Sequence, residues 1–403
     1  MHFTRRAALT TLAASAASVV LPSLALAQQR DIVIGAPNAL TGDLSELGSR
    51  GLWGMQIAVA EINRAGGIAA LGGSRLKLVA ADTSSNDPEQ AANATRRLID
   101  QEHPIALLGA GAGTMTLAAQ AEAEKSEIPL ITNALADGIV TRGFRYSFKI
   151  GPQGGAVWNW ALSRTVELWT TLKGRPPRSV MPIMGSDAVG ALLLKALPEQ
   201  ARSLGVTVPA ALAFPTGHPD PAALVAAAQR ARPDVIAVGG FANDLIAIVK
   251  ALRSAGIAAP IMSAGLAGTD AIGKGLGAAA DRIFAPMAWN WDLAVPGNKE
   301  FVAAYHAAQP DQPYPPASEQ LGQGYVVTMI LRQALELAAS RDPRKLRDVL
   351  ADAEFTGLPY PNPTVRFGAQ GLNAYNSLVL AEWIKGELRT VWPRQQQTVP
   401  PVI

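Results

Sequence analysis

The 403-residue sequence contains no cysteine and only four histidines. The lack of cysteine excludes disulfides, thiolate metal sites, iron–sulfur clusters, a catalytic thiol and a lipidated N-terminal cysteine. His2 lies in an N-terminal segment with the features of a removable signal, and His103, His218 and His306 are scattered along the chain. We interpret these three as surface or boundary residues, so the sequence predicts no metal site.

An excess of charge of one sign is also missing. The chain carries 35 Lys and Arg against 32 Asp and Glu, which gives a formal net charge of +3. A nucleic-acid or anionic-membrane partner would need a clustered basic face, and we therefore expect no nucleic acid and no membrane partner of that kind. Because 49% of its residues are hydrophobic, a chain of this length can form two or three domains with full cores.

Long apolar runs are absent from the chain after its N-terminal segment. No stretch there reaches the roughly 18 residues of a membrane-spanning helix. In that segment Arg5 and Arg6 precede a weakly apolar run rich in Ala and Ser, and small residues precede Gln28. This pattern predicts an export signal over residues 1–27, cleaved after Ala27 and of the twin-arginine type. The general export route and an uncleaved membrane anchor are the alternatives. The expected location of the mature protein is the periplasm.

Strand-like and helix-like segments alternate along the chain in two similar halves. The predicted strands cover residues 31–36, 75–81, 105–108, 128–132, 179–184, 206–214, 234–238, 260–263, 282–286, 364–367, 377–383 and 388–392. The predicted helices begin near residues 48 and 88 and cover residues 114–125, 192–204, 222–232, 243–255, 299–309, 318–339 and 344–350. Asp87 followed by Pro88 predicts a capped helix start. Continuous apolar strands are typical of parallel sheets covered on both faces, so we expect an α/β fold with two doubly wound parallel-sheet lobes.

Two glycine-rich segments resemble nucleotide-binding motifs without matching them. Residues 109–114 follow a strand and open a helix, but Thr114 stands where the dinucleotide fingerprint needs glycine. Such a helix N-terminus still favours a carboxylate or another anion, and a purely structural tight turn is the alternative. Residues 268–275 lack the hydroxyl that a phosphate loop needs at its last position, which predicts a loop and a short helix. With no catalytic constellation elsewhere, we expect neither enzymatic activity nor a cofactor.

Four of the eight tryptophans fall near the predicted boundaries between the two halves: Trp158, Trp160, Trp289 and Trp291. Aromatic walls are common in clefts between domains, although most tryptophans pack in cores. The sequence leaves open whether these four side chains line a cleft or lie behind it.

Several sequence blocks occur in the same order as in a known family. They are Ile34-Gly35-Ala36, Leu40-Thr41-Gly42, Glu61-Ile62-Asn63-Arg64-Ala65-Gly66-Gly67-Ile68, Asp87-Pro88-Glu89-Gln90-Ala91, Ile128-Pro129-Leu130-Ile131-Thr132 and Arg253-Ser254-Ala255-Gly256-Ile257. With these blocks the chain resembles the leucine/isoleucine/valine-binding proteins, the extracytoplasmic solute receptors of ABC importers. The resemblance implies a type I periplasmic binding protein, in which two lobes joined by a three-crossover hinge close on a small solute. It also implies a monomer that docks transiently on a membrane permease.

The bounds of the two lobes follow from the same resemblance. Lobe 1 would comprise residues 28–150 and 288–356, and lobe 2 would comprise residues 151–287 and 357–395, followed by a tail at 396–403. The three crossings would lie near Ile150–Gln153, Ala285–Ala288 and Phe355–Leu358. The long helices after Gly297 would then pack on lobe 1.

The family's ligand positions fall on residues that depart from an amino-acid site. These positions are Leu47, Gly113, Thr114, Met115, Ala134, Ala136, Val189, Phe241 and Gly265. Gly265 stands where the family has the acidic residue that pairs with an α-ammonium group, and a buried ammonium without its partner is strongly destabilised. Asp187 and Asp270 are candidates to replace that acid, and Trp53 and Trp289 are candidate walls of the site.

We therefore expect a solute with a carboxylate but no ammonium group, such as an aromatic or aliphatic acid, and keep an amino acid as the alternative. The carboxylate would bind the N–H groups of residues 113–115, between walls at Leu47, Val189 and Phe241.

Two other classes of protein remain open beside a receptor. A ligand-sensing regulator would lack the export signal and usually carry a DNA-binding headpiece. A secreted Rossmann-type oxidoreductase would need the fingerprint that Thr114 breaks.

Overall fold

Two large β-sheets form the framework of the protein, one from residues before 150 and one from residues after 179. The computed structural model describes residues 30–109, 111–264 and 266–403. The predicted export signal and the predicted ligand position Gly265 lie outside the described residues, so both stay predictions.

The first sheet is built from strands in the first third of the chain. These strands are β1 (Ile32–Asn38), β2 (Leu76–Asp82), β3 (Ala106–Leu108), β4 (Leu130–Thr132) and β5 (Ser147–Lys149). They run parallel in the order β2-β1-β3-β4-β5, and β1 is buried along nearly all of its length. A parallel sheet covered on both faces needs such apolar strands, and the strands predicted in this region are confirmed.

The helices of this region connect the strands of the first sheet. They are α1 (Ser45–Arg64), α2 (Pro88–Glu102), α3 (Gly113–Lys125) and α4 (Gly138–Thr141). The start of α2 confirms the predicted cap, because the Asp87 carboxylate accepts a hydrogen bond of 2.9 Å from the Gln90 N–H and Pro88 is the first helical residue.

The second sheet takes its strands from the rest of the chain. The strands there are β6 (Val180–Gly185), β7 (Leu212–Phe214), β8 (Val235–Gly239), β9 (Ile261–Met262), β10 (Ile283–Met287), β11 (Glu354–Phe355), β12 (Val365–Arg366), β13 (Val379–Ile384) and β14 (Glu387–Trp392). The sheet order is β14-β13-β10-β9-β8-β6-β7, and only β13 runs antiparallel to its neighbours. β11 and β12 form a separate antiparallel pair. β7 is shorter than the predicted strand at 206–214, because Pro209 cannot donate a ladder hydrogen bond.

The helices after residue 150 cover the second sheet and extend back to the first. They are α5 (Gly154–Lys173), α6 (Ala188–Ser203), α7 (Pro221–Ala231), α8 (Ala242–Ser254), α9 (Asp270–Leu276), α10 (Asn298–Ala308), α11 (Glu319–Ala338) and α12 (Pro343–Asp352). Short 3-10 helices occupy Ala69–Leu71, Leu266–Gly268 and Gly277–Ala280. α5 is absent from the predicted elements, since its many β-branched and aromatic residues have a low helix propensity. α9 confirms the short helix predicted within residues 268–275.

Helix α11 packs closely along α1, which brings their N-termini together. A Cβ atom on Gly54 would lie 2.0 Å from the Leu321 carbonyl oxygen, and one on Gly324 would lie 2.1 Å from the Gly51 carbonyl oxygen. Only glycine permits such an approach between two helix backbones. The contact places the long helices after Gly297 against the first sheet, as the resemblance implies.

The segment after β12 contacts the first sheet rather than the second. The Phe367 ring lies 5.2 Å from the Phe148 ring between centroids, Leu372 bridges to Lys149, and the Asn373 side chain donates to the Ile150 carbonyl oxygen at 3.2 Å. The resemblance implies that residues 357–395 belong to lobe 2. These contacts favour a third crossing after Asn373, while the lobe bounds as a whole stay a prediction.

Within the described part of the chain, no helix is both long and apolar enough to cross a membrane.

Candidate functional site

A cavity of about 160 Å³ lies where helix N-termini from both halves of the chain converge. Its walls are Leu47, Gly111, Gly113, Leu135, Gly268, Thr269, Ser318, Glu319 and Gln320. Most of these residues follow the carboxyl ends of the parallel strands, where α/β sheets usually place their ligands. The cavity therefore occupies the position expected for a ligand site in this fold.

Two of the predicted ligand residues, Leu47 and Gly113, line this cavity. Gly113 begins α3, and no side chain in the described part of the chain caps the first N–H groups of this helix. Free N–H groups and the helix dipole favour a carboxylate at that point. A Cβ atom on Gly113 would lie 3.0 Å from the Ala136 Cβ, so the two predicted positions are in close contact and Ala136 fills the space of a side chain.

The other predicted residues of the first half do not line the cavity. Thr114 is exposed on the first turn of α3, whereas Met115 is 1% exposed and packs in the core. Ala134 is also buried and packs against Ile139 and Val140. The side chains of Met115 and Ala134 are therefore structural, and only their backbone groups remain candidates for a ligand contact.

The predicted wall residues of the second half are exposed at the corresponding edge of the second sheet. Val189 lies in the first turn of α6 and is 62% exposed, and Phe241 precedes α8 and is 60% exposed. Both follow the carboxyl ends of strands, as does Gly268, which lines the cavity. Large apolar side chains exposed at such a position are typical of a surface that contacts a ligand or another protein surface.

Both acids proposed to replace the one missing at Gly265 have other partners. Asp187 caps α6 by accepting hydrogen bonds of 3.0 Å from the N–H groups of Val189 and Gly190. Asp270 is buried in an ion pair with Arg50 and accepts a further hydrogen bond from the protein backbone. Asp270 is thus neutralised inside the protein, whereas Asp187 is exposed and its contact with a ligand ammonium group stays a prediction.

Neither of the two candidate tryptophans lines the cavity. Trp289 is fully buried, donates from its indole N–H to the Asn298 side chain at 2.8 Å and packs against Phe301. Trp53 is half-buried beside Tyr305, with the Arg50 guanidinium 5.0 Å from its ring centroid. Trp289 is thus a core residue, and neither ring lines this cavity, so a contact of Trp53 with the ligand stays a prediction.

Glu319 is a further candidate for a ligand contact, one that the sequence does not predict. It lines the cavity at the start of α11, and its Oε2 accepts a hydrogen bond of 2.7 Å from the Ala288 N–H. Among the described residues this is the carboxyl group's one hydrogen bond, so its other oxygen is available to a ligand. Burial raises the pKa of Glu319 to about 7. An acidic residue in the first turn of a helix is ordinary, so the sequence carried no signal for this role.

Lys149 places a positive charge next to Leu135, one of the residues that line the cavity. It is fully buried at the end of β5, and its Nζ donates to the carbonyl oxygens of Leu135 at 2.9 Å and Ala136 at 3.1 Å. No carboxylate oxygen of the described residues lies within 4.0 Å of this Nζ. The charge therefore adds to the field of the α3 N-terminus, and both favour a bound carboxylate.

Lys149 is expected to make the free energy of unfolding depend on pH above neutrality. Burial lowers its pKa from 10.5 to about 8 in the folded protein, so between these pH values the unfolded chain binds more protons. The free energy of unfolding should therefore rise across the interval by up to about 3 kcal/mol. Urea unfolding measured near pH 8 and near pH 10 gives this difference.

The matched control is the exposed Lys125 at the end of α3. The rise should disappear in Lys149→Met and persist in Lys125→Met. If all three proteins show the same rise, the buried amine is not its source.

The ion pair between Arg50 and Asp270 joins the two halves of the chain beside the cavity. Arg50 lies on α1, one turn after Leu47, and Asp270 begins α9, next to Thr269. Both side chains are less than 5% exposed, and Arg50 also donates to the Tyr305 hydroxyl. Burial raises the pKa of Asp270 despite the neighbouring guanidinium. Among the described residues, this is the one ion pair that links α1 of the first sheet to a helix of the second.

Known proteins are similar to this chain in sequence and in architecture. The profile of the family described as "Periplasmic binding protein" matches residues 31–387. Leu/Ile/Val-binding protein homolog 8 of Brucella abortus is 26% identical over 374 residues, which cover 90% of this chain and 91% of that relative.

Two solved structures show the same fold. The branched-chain amino acid transporter substrate binding protein LivJ of Streptococcus pneumoniae, in complex with isoleucine, has a TM-score of 0.75 at 23% identity and covers 89% of this chain and 98% of that chain. An ABC transporter solute binding protein from R. palustris, in complex with benzoate, has a TM-score of 0.71 at 19% identity and covers 93% of this chain and 98% of that chain. From its sequence and its two-sheet architecture, the chain belongs to the periplasmic binding protein family, with the type I fold.

Proposed function

We propose that this protein is the extracytoplasmic receptor of an ABC importer and captures a small apolar α-amino acid in the cavity between its two halves. The observation that carries the proposal is the position of Glu319 in the same cavity as the uncapped N-terminus of α3. A carboxylate acceptor and a set of N–H donors in one small cavity match the two charged groups of a zwitterion.

Each end of such a solute has a partner in the described residues. The solute carboxylate would accept hydrogen bonds from the first N–H groups of α3, with the Lys149 charge behind them. The ammonium group would bind the free oxygen of Glu319. The apolar side chain would contact Leu47 and Leu135.

The sequence-based preference for a solute without an ammonium group rested on Gly265. Glu319 supplies an acid that this argument lacked, and therefore the amino acid becomes the first candidate. An aromatic or aliphatic acid stays as the second candidate, because a Glu319 carboxyl with a pKa of about 7 is partly protonated and can donate a hydrogen bond to a carboxylate.

Capture would proceed by closure of the two halves around the solute. Val189 and Phe241, exposed on the second half, would then cover the cavity opposite Leu47. A solute shifts this equilibrium only by its difference in affinity for the open and closed states. The permease would bind the closed form of the monomer, after export directed by residues 1–27. No step of this function calls for a catalytic residue or a cofactor.

A thermal-shift screen of the purified protein tests the proposal. A solute at about 100 times its dissociation constant adds about 2.7 kcal/mol to the free energy of unfolding. We expect stabilisation by one or more of leucine, isoleucine, valine and phenylalanine, and none by the matching amines and amides, which lack the carboxylate. Stabilisation confined to benzoate, its hydroxylated forms or short fatty acids would favour the second candidate. A screen without any stabilising solute would count against both.

A further inference from the structure

A second cavity, of about 360 Å³, lies at the opposite edge of the second sheet from the candidate site. It is bounded by the end of α8, by the turn before β10 and by the turn between β13 and β14. Arg253, Arg282 and Lys385 line it together with Asp281, and Trp383 forms an apolar wall. Three cationic side chains thus face one cavity with a single lining carboxylate.

These positive charges form no close ion pair, although Asp281 interacts electrostatically with Arg253 and the buried Glu382 with Arg282. No carboxylate oxygen in the described ranges lies within 4.0 Å of a side-chain nitrogen of Arg253, Arg282 or Lys385. Burial, and then the charge of Arg282, lower the pKa of Arg253. Two guanidinium groups therefore repel each other in a partly desolvated place, which an anion between them would relieve.

The backbone holds the cationic side chains in place around the cavity. The Arg253 guanidinium donates to the carbonyl oxygens of Ile257 at 2.8 Å and Ala259 at 2.9 Å, which fixes its orientation. The Asp281 carboxylate accepts a hydrogen bond of 2.8 Å from the Lys385 N–H, which ties the two turns together. Asp281 is thus engaged in a backbone contact.

Free hydrogen-bond donors remain on two of the cations. Arg282 makes one side-chain hydrogen bond, to the Ala258 carbonyl oxygen at 3.3 Å, and the Lys385 Nζ makes none within the described residues. A guanidinium group presents five N–H donors and an ammonium group three. Most of these donors are available to a ligand.

We propose that this cavity binds a small oxyanion through Arg282 and Lys385, with Arg253 as a fixed positive charge behind them. Guanidinium groups bind phosphate and carboxylate oxygens by paired charge-assisted hydrogen bonds. The ligand is thus a phosphate-bearing or carboxylate-bearing anion that fits about 360 Å³. This site is separate from the cavity at Glu319, and it does not depend on the identity of the transported solute.

Isothermal titration with inorganic phosphate, at constant ionic strength set by chloride, tests the site. The unmodified protein should bind phosphate saturably, and the double variant Arg282→Gln, Lys385→Gln should lose at least about tenfold in affinity. The matched control is Arg230→Gln, Lys250→Gln, which removes the same two charges from exposed positions on α7 and α8. The control should bind phosphate within about twofold of the unmodified protein.

Titration with succinate separates the two sources of the oxyanion. Binding of phosphate but not succinate assigns a phosphate group, and tighter binding of succinate assigns a carboxylate, provided that the double variant weakens it. If neither anion binds saturably, or if the double variant binds as well as the control, the proposal is wrong. Circular dichroism of each variant shows that a loss of binding is not a loss of folding.

Discussion

Replacing Glu319 by glutamine is expected to weaken the binding of an apolar α-amino acid by at least about 30-fold. The reason is that removing one charge from a buried, hydrogen-bonded pair costs about 2–5 kcal/mol. Glutamine keeps an oxygen that can accept from the Ala288 N–H, so the fold should be preserved. Calorimetric titration of the solute found in the thermal-shift screen measures the loss.

The pH dependence of the same affinity identifies the charge state that Glu319 uses. With a pKa of about 7 in the free protein, the carboxylate fraction rises roughly eightfold between pH 6 and pH 7.5. Affinity for an amino acid should rise in proportion in the unmodified protein and stay constant in Glu319→Gln. Affinity for an aromatic acid should instead fall over the same interval. Such a ligand would bind the protonated form of Glu319, and the fraction of that form decreases as the pH rises.

Glu89→Gln is the matched control for this experiment. Like Glu319, Glu89 is a glutamate in the first turn of a helix, here α2. Its side chain, however, is exposed. Its replacement should change neither the affinity nor its pH dependence. Equal affinities for Glu319→Gln and Glu89→Gln at pH 7.5 would show that Glu319 does not contact the solute.

Replacing Asp270 by asparagine is expected to lower the free energy of unfolding by about 3–5 kcal/mol. The change leaves the Arg50 guanidinium buried without a counter-charge, and an unpaired buried charge is strongly destabilising. Because the pair links α1 to α9 beside the cavity, the change should also weaken solute binding by opposing closure. Urea unfolding and solute titration measure the two effects.

A double variant separates the pair from its individual charges. Arg50→Met with Asp270→Leu removes both charges, so it should be more stable than Asp270→Asn alone. The cycle is completed by Arg50→Met alone and Asp270→Leu alone. If the loss of stability in the double variant equals the sum of their losses, Arg50 and Asp270 act independently. The exposed pair of Lys77 and Glu102 is the control, where Glu102→Gln should change the free energy of unfolding by less than about 1 kcal/mol.

Much of the fold could be predicted because its signals are local. The apolar run of β1 and the Asp87–Pro88 start of α2 are short sequence patterns with a direct physical cause. The strand at 206–214 was predicted too long, since apolar composition outweighed the single proline at Pro209. α5 was overlooked, because its helix is stabilised by the packing of its buried face rather than by intrinsic propensity.

The candidate site could be predicted only in part. Gly113 was identified because a glycine-rich turn after a strand marks a helix N-terminus. Ala134 and Trp289 were assigned from a family position or a residue type, and the structure buries both in cores. Whether a side chain points into a cavity depends on packing, and a single sequence does not report packing.

Short patterns along the chain predict the two α/β halves, their parallel strands and the helix N-terminus that favours a carboxylate. Short blocks read in order also carry the resemblance to a solute receptor. Each of these depends on neighbours within a few residues along the chain. Packing between distant segments determines where Glu319 lies, how deeply Lys149 is buried and that Arg50 pairs with Asp270, 220 residues away. Glycines let α11 approach α1 closely, and that approach places Glu319 in the same cavity as Leu47.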